Sequence, residues 1–417
     1  MVLTMGRMTV GSGQWLGTIA LCILAGTSTI FLYTNSIKHY KLLHIFISKH
    51  STKAPPLSQH FFCLSTMSTL LLLLFLLLKL SEAYKAEWIC VEPKQVISPR
   101  RSGAVAILPP LEEPTMPPLV FGGYAEEDTT DSSGPKYRRY AVNDLWQWRN
   151  EQWNIISPIK GDSPAARLVG AAACLGNSAY LVGGWSPEAE SPSEVFLDTV
   201  HQLDLKTFTW KLLPTKLPDG PSSRHIAVAL STTEILIHNH RCVDYVYLFD
   251  GQEFTKQPTK GSCPSPRGLH CACRVSEDCV IVFGGAAQDG TMSNEVFSLN
   301  TRTWKWQQLK TTNHGPSPRA AACLCTVDSS HVLLYGGAES VEGGLKPHGD
   351  TWLLDLERLT WTCLISSDDG SAPPPRNAAT LFPLKKSEQG NDFLMTGGWA
   401  PFVETWDDCH VLRISKS

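Results

Sequence analysis

The sequence predicts an all-β protein built from six tandem four-stranded units, and three observations predict it. Five apolar runs, "PPLVFGGY", "SAYLVGGW", "CVIVFGGA", "HVLLYGGA" and "DFLMTGGW", each break at a pair of glycines. A strand led by an acid follows each run, and a strand bearing tryptophan comes after all but the last. Composition agrees with this: 31 Gly, 28 Pro and 13 Trp in 417 residues supply turns and aromatic strand positions, and no long amphipathic helical pattern follows residue 84.

Each unit opens with an arginine ahead of a short apolar strand: "SPRRSGAVA", "AARLVGAAA", "SSRHIAVAL", "SPRGLHCAC", "SPRAAACLC" and "PPRNAATLF". The second strand is the apolar run itself, ending where the backbone needs positive φ or a close approach that only glycine permits. The third strand follows an acid, in "NDLWQW", "LDTVHQL", "VDYVYLF", "NEVFSL", "GDTWLLD" and "DDCHVL". The fourth carries Trp153, Trp210, Phe254, Trp304 or Trp361 in units one to five. Unit three is degenerate, with "ILIHNH" in place of the glycine pair, but Arg224, Asp244 and the strand pattern keep it in register.

Over residues 86 to 417 this arrangement resembles the Kelch-repeat family. The resemblance implies a six-bladed β-propeller with four-stranded antiparallel blades around a central axis. The sixth unit lacks its fourth strand, while "YKAEWICV" near residue 84 carries Trp88 where the other units carry theirs. An N-terminal strand is therefore expected to complete the last blade and leave no open edge. The domains expected are residues 1–83, an apolar N-terminal segment, and 84–417, the propeller.

The start of strand one, the end of strand two and the start of strand three share a face in an antiparallel blade. That geometry predicts a ring of Arg100, Arg167, Arg224, Arg267, Arg319 and Arg376, beside a ring of Asp144, Asp198, Asp244, Glu295, Asp350 and Asp408. Guanidinium forks facing a cavity would grip a partner's carboxylates. The resemblance supports this, because several Kelch propellers bind acidic loops or free C-termini there. The competing expectation is that arginines and acids satisfy one another. Trp185 and Trp399, each following a glycine pair, are expected either as anchors of a binding face or as packing between blades. On the binding reading, charge reversal at Arg267 and Arg319 abolishes capture and leaves the fold intact. The loops between strands two and three, such as "YAEEDTTDSSGPKYRRYAVND", are the expected carriers of specificity.

A protein partner presenting a peptide or loop is thus expected, with a role as a substrate-recognition adaptor open to such a module, and no cofactor. The net charge of -3, from 36 basic and 39 acidic residues, offers no field for nucleic acid. The rival class is a metal-dependent or oxidising enzyme in the same pocket. Its nearest motif, Glu194, Asp198 and His201, falls one residue short in its second gap of the iron motif of the resembling specifier proteins. Cys271/Cys273 and Cys323/Cys325 could be a four-sulfur site, but small residues at matching positions favour packing.

Residues 17–33 and 61–80 are apolar enough to enter a bilayer, with Lys38, Lys41, Lys49 and Lys53 between them. Alternatively, initiation at Met67 would make "MSTLLLLLFLLLKLSEA" a signal peptide with Ser81 and Ala83 at its cleavage site. Either way the propeller crosses a membrane, by attachment or secretion. Eleven cysteines in the propeller region and no Asn-x-Ser/Thr acceptor argue instead for a reducing, cytoplasmic setting.

Overall fold

From Tyr84 onward the described residues form six successive blades, each a four-stranded antiparallel sheet with its first strand innermost, to which Lys160–Gly161 in blade two and Lys260–Gly261 in blade four add a short parallel strand. The structure is a computed structural model that describes residues 2–4, 19–23, 29–36, 39–46, 84–92, 100–131, 134–384, 390–401 and 403–416. Two compact units result, Met1–Ser81 and Glu82–Ser417. In the first, strands Val2–Thr4, Ile19–Ile23, Thr29–Ser36 and His39–Phe46 form one antiparallel sheet. The apolar stretch at 17–33 thus contributes strands, and the stretch at 61–80 lies outside the described residues. Among the described residues no helix is long and apolar enough to cross a membrane.

The second unit is the expected six-bladed propeller. Blade two shows the pattern plainly: Ala171–Leu175, Ser178–Trp185, Phe196–Asp204 and Thr209–Lys216 pair in sequence order. The first strands of adjacent blades pack in a closed circuit, including that of blade six on that of blade one. The circuit is tied by the backbone. Gly103, Val169, Arg224, Leu269, Ala321 and Ala378 all take positive φ, between 47° and 62°. The N–H of each donates to the carbonyl of its counterpart in the preceding blade, at 2.8–3.0 Å, and the N–H of Gly103 closes the loop on Ala378.

The core lies between blades rather than within them. Six apolar clusters fill the six interfaces, and the fourth-strand aromatic of a blade packs on its predecessor. Trp210 meets Phe121 edge to face at 5.2 Å, and Trp361 meets Phe283 at 5.7 Å. In blade four this residue is Trp306, 2% exposed, and not Trp304 as expected. "TWKW" places two tryptophans at strand period; Trp304 sits in the turn at φ 51°, ahead of strand Lys305–Leu309.

Closure occurs as expected. Tyr84–Val91 pairs antiparallel with Cys409–Lys416, from Tyr84 opposite Lys416 to Val91 opposite Cys409. Trp88 is buried, packs on Tyr335 at 4.8 Å and donates its indole N–H to Thr351 Oγ1 at 3.3 Å. The long segment expected as a blade-one loop is instead a continuation of strands Leu119–Asp131 and Gly134–Arg149.

Closure by an end-to-end strand makes Trp88 a keystone. Trp88→Ala removes a core aromatic and should cost about 3–5 kcal/mol of unfolding free energy in urea. A loss below about 1 kcal/mol would mean that the strand is held without it.

Candidate functional site

In four blades an arginine ahead of the first strand is sealed into a clamp. Arg101, Arg267, Arg319 and Arg376 are each 0–3% exposed. Each donates through Nη1 to the carbonyl of the first glycine of its own blade: Gly122 at 3.2 Å, Gly284 at 3.0 Å, Gly336 at 3.1 Å and Gly397 at 3.1 Å. Each also grips the acid before its third strand: Asp144 at 2.6 Å, Glu295 at 2.7 Å, Asp350 at 2.5 Å and Asp408. The carbonyls of Arg101, Arg319 and Arg376, and that of Arg167 in blade two, accept a bond from the second glycine of the preceding blade, as in Gly123 N–H to Arg167 O at 2.9 Å. A Cβ on Gly122 would stand 2.6 Å from that same carbonyl, so the glycine pair is a steric requirement of the interlock.

The electrostatics follow. Burial opposes ionisation of Asp408, but hydrogen bonds from Arg376 and His410 overcome it and hold the carboxyl at about 2. Burial likewise opposes ionisation of Asp350 and Glu295, and the bonds from Arg319 and Arg267 hold both below the usual range.

The expected ring of six partner-facing arginines is therefore corrected. Arg167, Arg267, Arg319 and Arg376 occupy the anticipated place but point into the protein. Charge reversal at Arg267 and Arg319 would bury like charges and break the fold. In blade one the clamp residue is Arg101, while Arg100 lies half-exposed and pairs with Asp128. In blade three the equivalent of the clamp arginine is Ser222, whose carbonyl accepts from Gly184 N–H at 2.9 Å, and Arg224 lies two residues beyond it. Asp198 is displaced by one: Thr199 faces Arg167, and strand alternation turns Asp198 out to Lys216 at 3.2 Å. Asp244 is likewise exposed, and Tyr245 holds the acid's place.

Blade three thus lacks the whole device. Asn239 and His240 replace the glycines and stay at negative φ. Beside this gap lies a cavity of about 500 Å3, lined by Phe196, Ser222, Arg224, His240, Arg241 and Gln288 among others. Arg224 is exposed and makes no ion pair or hydrogen bond through its side chain among the described residues. Arg241 donates to Pro221 O at 3.0 Å and leaves the rest of its fork open. Phe196 is 50% exposed and stacks on Trp185 at 6.4 Å and 18°. Trp185 thus supports the cavity wall. Trp399 lies elsewhere, beneath the guanidinium of Arg139 at 5.7 Å.

Beneath the cavity His238 Nδ1 and His270 Nε2 lie 3.0 Å apart, with His225 buried nearby. Burial drives His225 and His238 down to about 4 and His270 well below its ordinary value. The residues of the iron-type motif have other engagements: Asp198 pairs with Lys216, and His201 is buried against Trp210. Burial raises the Cys273 and Cys323 thiols to about 12, and Cys323 donates to Ala379 O at 3.3 Å across the blade interface. Among the described residues no three His, Cys, Asp or Glu side chains are grouped to hold a metal.

Comparison with known proteins agrees with this architecture. A KLHDC2/KLHL20/DRC7 Kelch-repeats domain model matches residues 236–417, and a Kelch motif model matches 170–217. Kelch domain-containing protein 2 of Bos taurus is 25% identical over 275 residues, 58% of this chain and 65% of that protein. Kelch domain-containing protein 3 of Homo sapiens is 26% identical over 222 residues, covering 48% and 56%. Acyl-CoA-binding domain-containing protein 4 of Arabidopsis thaliana is 26% identical over 242 residues, covering 54% and 34%. The chain therefore spans between about a third and two thirds of these relatives. A solved structure, that of YjhT, superposes with a TM-score of 0.54 at 14% identity, covering 77% of this chain and 99% of the other, which shows the fold. The class is a propeller of Kelch type, a class whose members generally mediate protein interactions. The chain belongs to the Kelch-repeat family.

Two outcomes follow from the clamps and the histidines. Asp350→Asn leaves Arg319 buried without a counter-charge and should cost about 3–5 kcal/mol, read from urea unfolding. The buried histidines bind protons more weakly folded than unfolded, so their contribution is complete above pH about 6.5 and is lost as pH falls towards 4. The thermal midpoint should fall through that window, before the clamp acids protonate, and His225→Gln should reduce the slope.

Proposed function

We propose that this propeller is a protein-interaction module that captures an acidic peptide or loop of a partner in the cavity beside blade three. The observation that carries this reading is the pairing of Arg224, whose side chain has no partner among the described residues, and Arg241, open on one side, around an aromatic shelf. Everywhere else around the ring the corresponding positive charge is already neutralised or enclosed. A carboxylate entering here would meet planar donors, and the exposed face of Phe196 would cover an adjacent apolar group. Ser222 lines the same cavity and keeps a hydroxyl without a hydrogen-bond partner among the described residues. Kelch propellers are generally interaction modules, which supports the class of function; a role as a substrate-recognition adaptor belongs to the same reading.

The test is selection of a random-peptide library on the full chain, in parallel with Arg224→Glu and Arg241→Glu. Acidic peptides should be enriched on the natural protein, and each reversal should weaken the selected peptides at least tenfold, about 1.4 kcal/mol. Both variants should keep the parent's thermal midpoint, since both side chains reach solvent. Selection of the same acidic peptides with equal affinity on the variants would place the binding face elsewhere.

A further inference from the structure

Blade two keeps the clamp arginine but has lost its counter-charge. Arg167 is 1% exposed. Its Nε donates to Ala165 O at 3.0 Å, and its Nη1 donates to Gly183 O at 2.9 Å and Thr199 Oγ1 at 3.2 Å. All three acceptors are neutral. Nη2 has no hydrogen-bond partner, and the residue has no ion pair, among the described residues. Burial with nothing to offset it lowers the guanidinium to about 10.

The contrast with the other blades shows what is absent. In blade four Nη2 of Arg267 meets Ser265 Oγ at 2.9 Å and Glu295 Oε2 at 2.7 Å. In blade five Nη2 of Arg319 meets Ser317 Oγ at 3.0 Å and Asp350 Oδ2 at 3.1 Å. In blade two both acceptors are truncated at once, to Ala165 and Thr199, on the two sides of the same nitrogen. The neighbouring Asp198 carboxylate is turned away to Lys216, so no local acid can substitute. Enclosing a charge without a counter-charge is destabilising. A water would satisfy the N–H but not the charge.

We propose that Arg167 is an anion site, in which a small monovalent anion sits on Nη2 where Asp144, Glu295, Asp350 and Asp408 sit in their own blades. The ligand chemistry is a compact acceptor carrying one negative charge: an inorganic halide or a carboxylate group. The site stands apart from the peptide cavity, whose lining does not include Arg167, and does not depend on that reading.

The experiment is thermal unfolding of the full chain in sodium chloride and in sodium formate, each against a bulky sulfonate buffer of equal ionic strength. Both small anions should raise the midpoint in a saturable way, because they bind the folded state alone. Thr199→Asp, which supplies the missing acid, should be more stable than the parent in the sulfonate buffer and unresponsive to either anion. A response to formate alone would identify the occupant as a carboxylate group, and a response to both an inorganic anion as well. No saturable response in the parent, or an equal response in Thr199→Asp, would overturn the proposal. Should Thr199→Asp fail to fold, Arg167→Met must lose the response and abolish the chloride-35 line broadening of the parent; retention of both would likewise overturn it.

Discussion

Six left-handed residues joined head to tail by their peptide groups are the constraint on which the rest of this propeller hangs. Every donor in that circuit is also followed by an acceptor, so no blade can shift without breaking two bonds. Five of the six are not glycine, and the left-handed conformation costs such residues roughly 1–2 kcal/mol each. That strain persists because closure over-determines the backbone: adjacent first strands pack against each other on both sides, and the final pairing of Tyr84–Val91 with Cys409–Lys416 removes the last free edge. Once the circuit is set, the residue two before a member faces the glycine pair of the preceding blade wherever that pair is present, in every blade but the one that follows blade three, and the interlock follows.

The arginine clamps are extensions of this circuit. A guanidinium is suited to the place because one planar group reaches a carbonyl, a carboxylate and a loop oxygen together. Four complete clamps stiffen one face of the ring and consume its charge. The device is incomplete in blades two and three, and the cavity lies beside blade three. Arg167 keeps its fork without an acid, and blade three has dispensed with arginine, acid and glycines alike. A repeated residue in a repeat protein reports on the repeat; the departures are where this chain differs from its own pattern, and the cavity lies there.

The strands were readable because each combines two local signals: period-two burial, and termini that glycine, proline or a turn sequence must occupy. Closure was readable from a tryptophan without a blade and a blade without its tryptophan. The site was less readable because its errors are of one or two residues, and a single step turns a strand side chain to the opposite face. Arg100 stands beside Arg101, Asp198 beside Thr199, Asp244 beside Tyr245, and Arg224 two beyond Ser222. A finer signal existed. The clamp residue lies four positions before the first strand in every blade, since Val105, Ala171, Ile226, Cys271, Cys323 and Thr380 begin those strands. Aligning strand starts instead of arginines would have selected Arg101 and revealed Ser222.

By itself, then, the sequence determined the all-β class, the count of six units and the ring closure, because these depend on patterns within one strand or one turn. It also supplied the arginines and acids. Only the tertiary structure decided whether those charges face a partner or one another, since that depends on register between strands and on which carbonyl a neighbouring blade presents. It likewise decided that Arg224 and Arg241 stand open while Arg319 is sealed, because exposure belongs to the assembled ring and not to the residue.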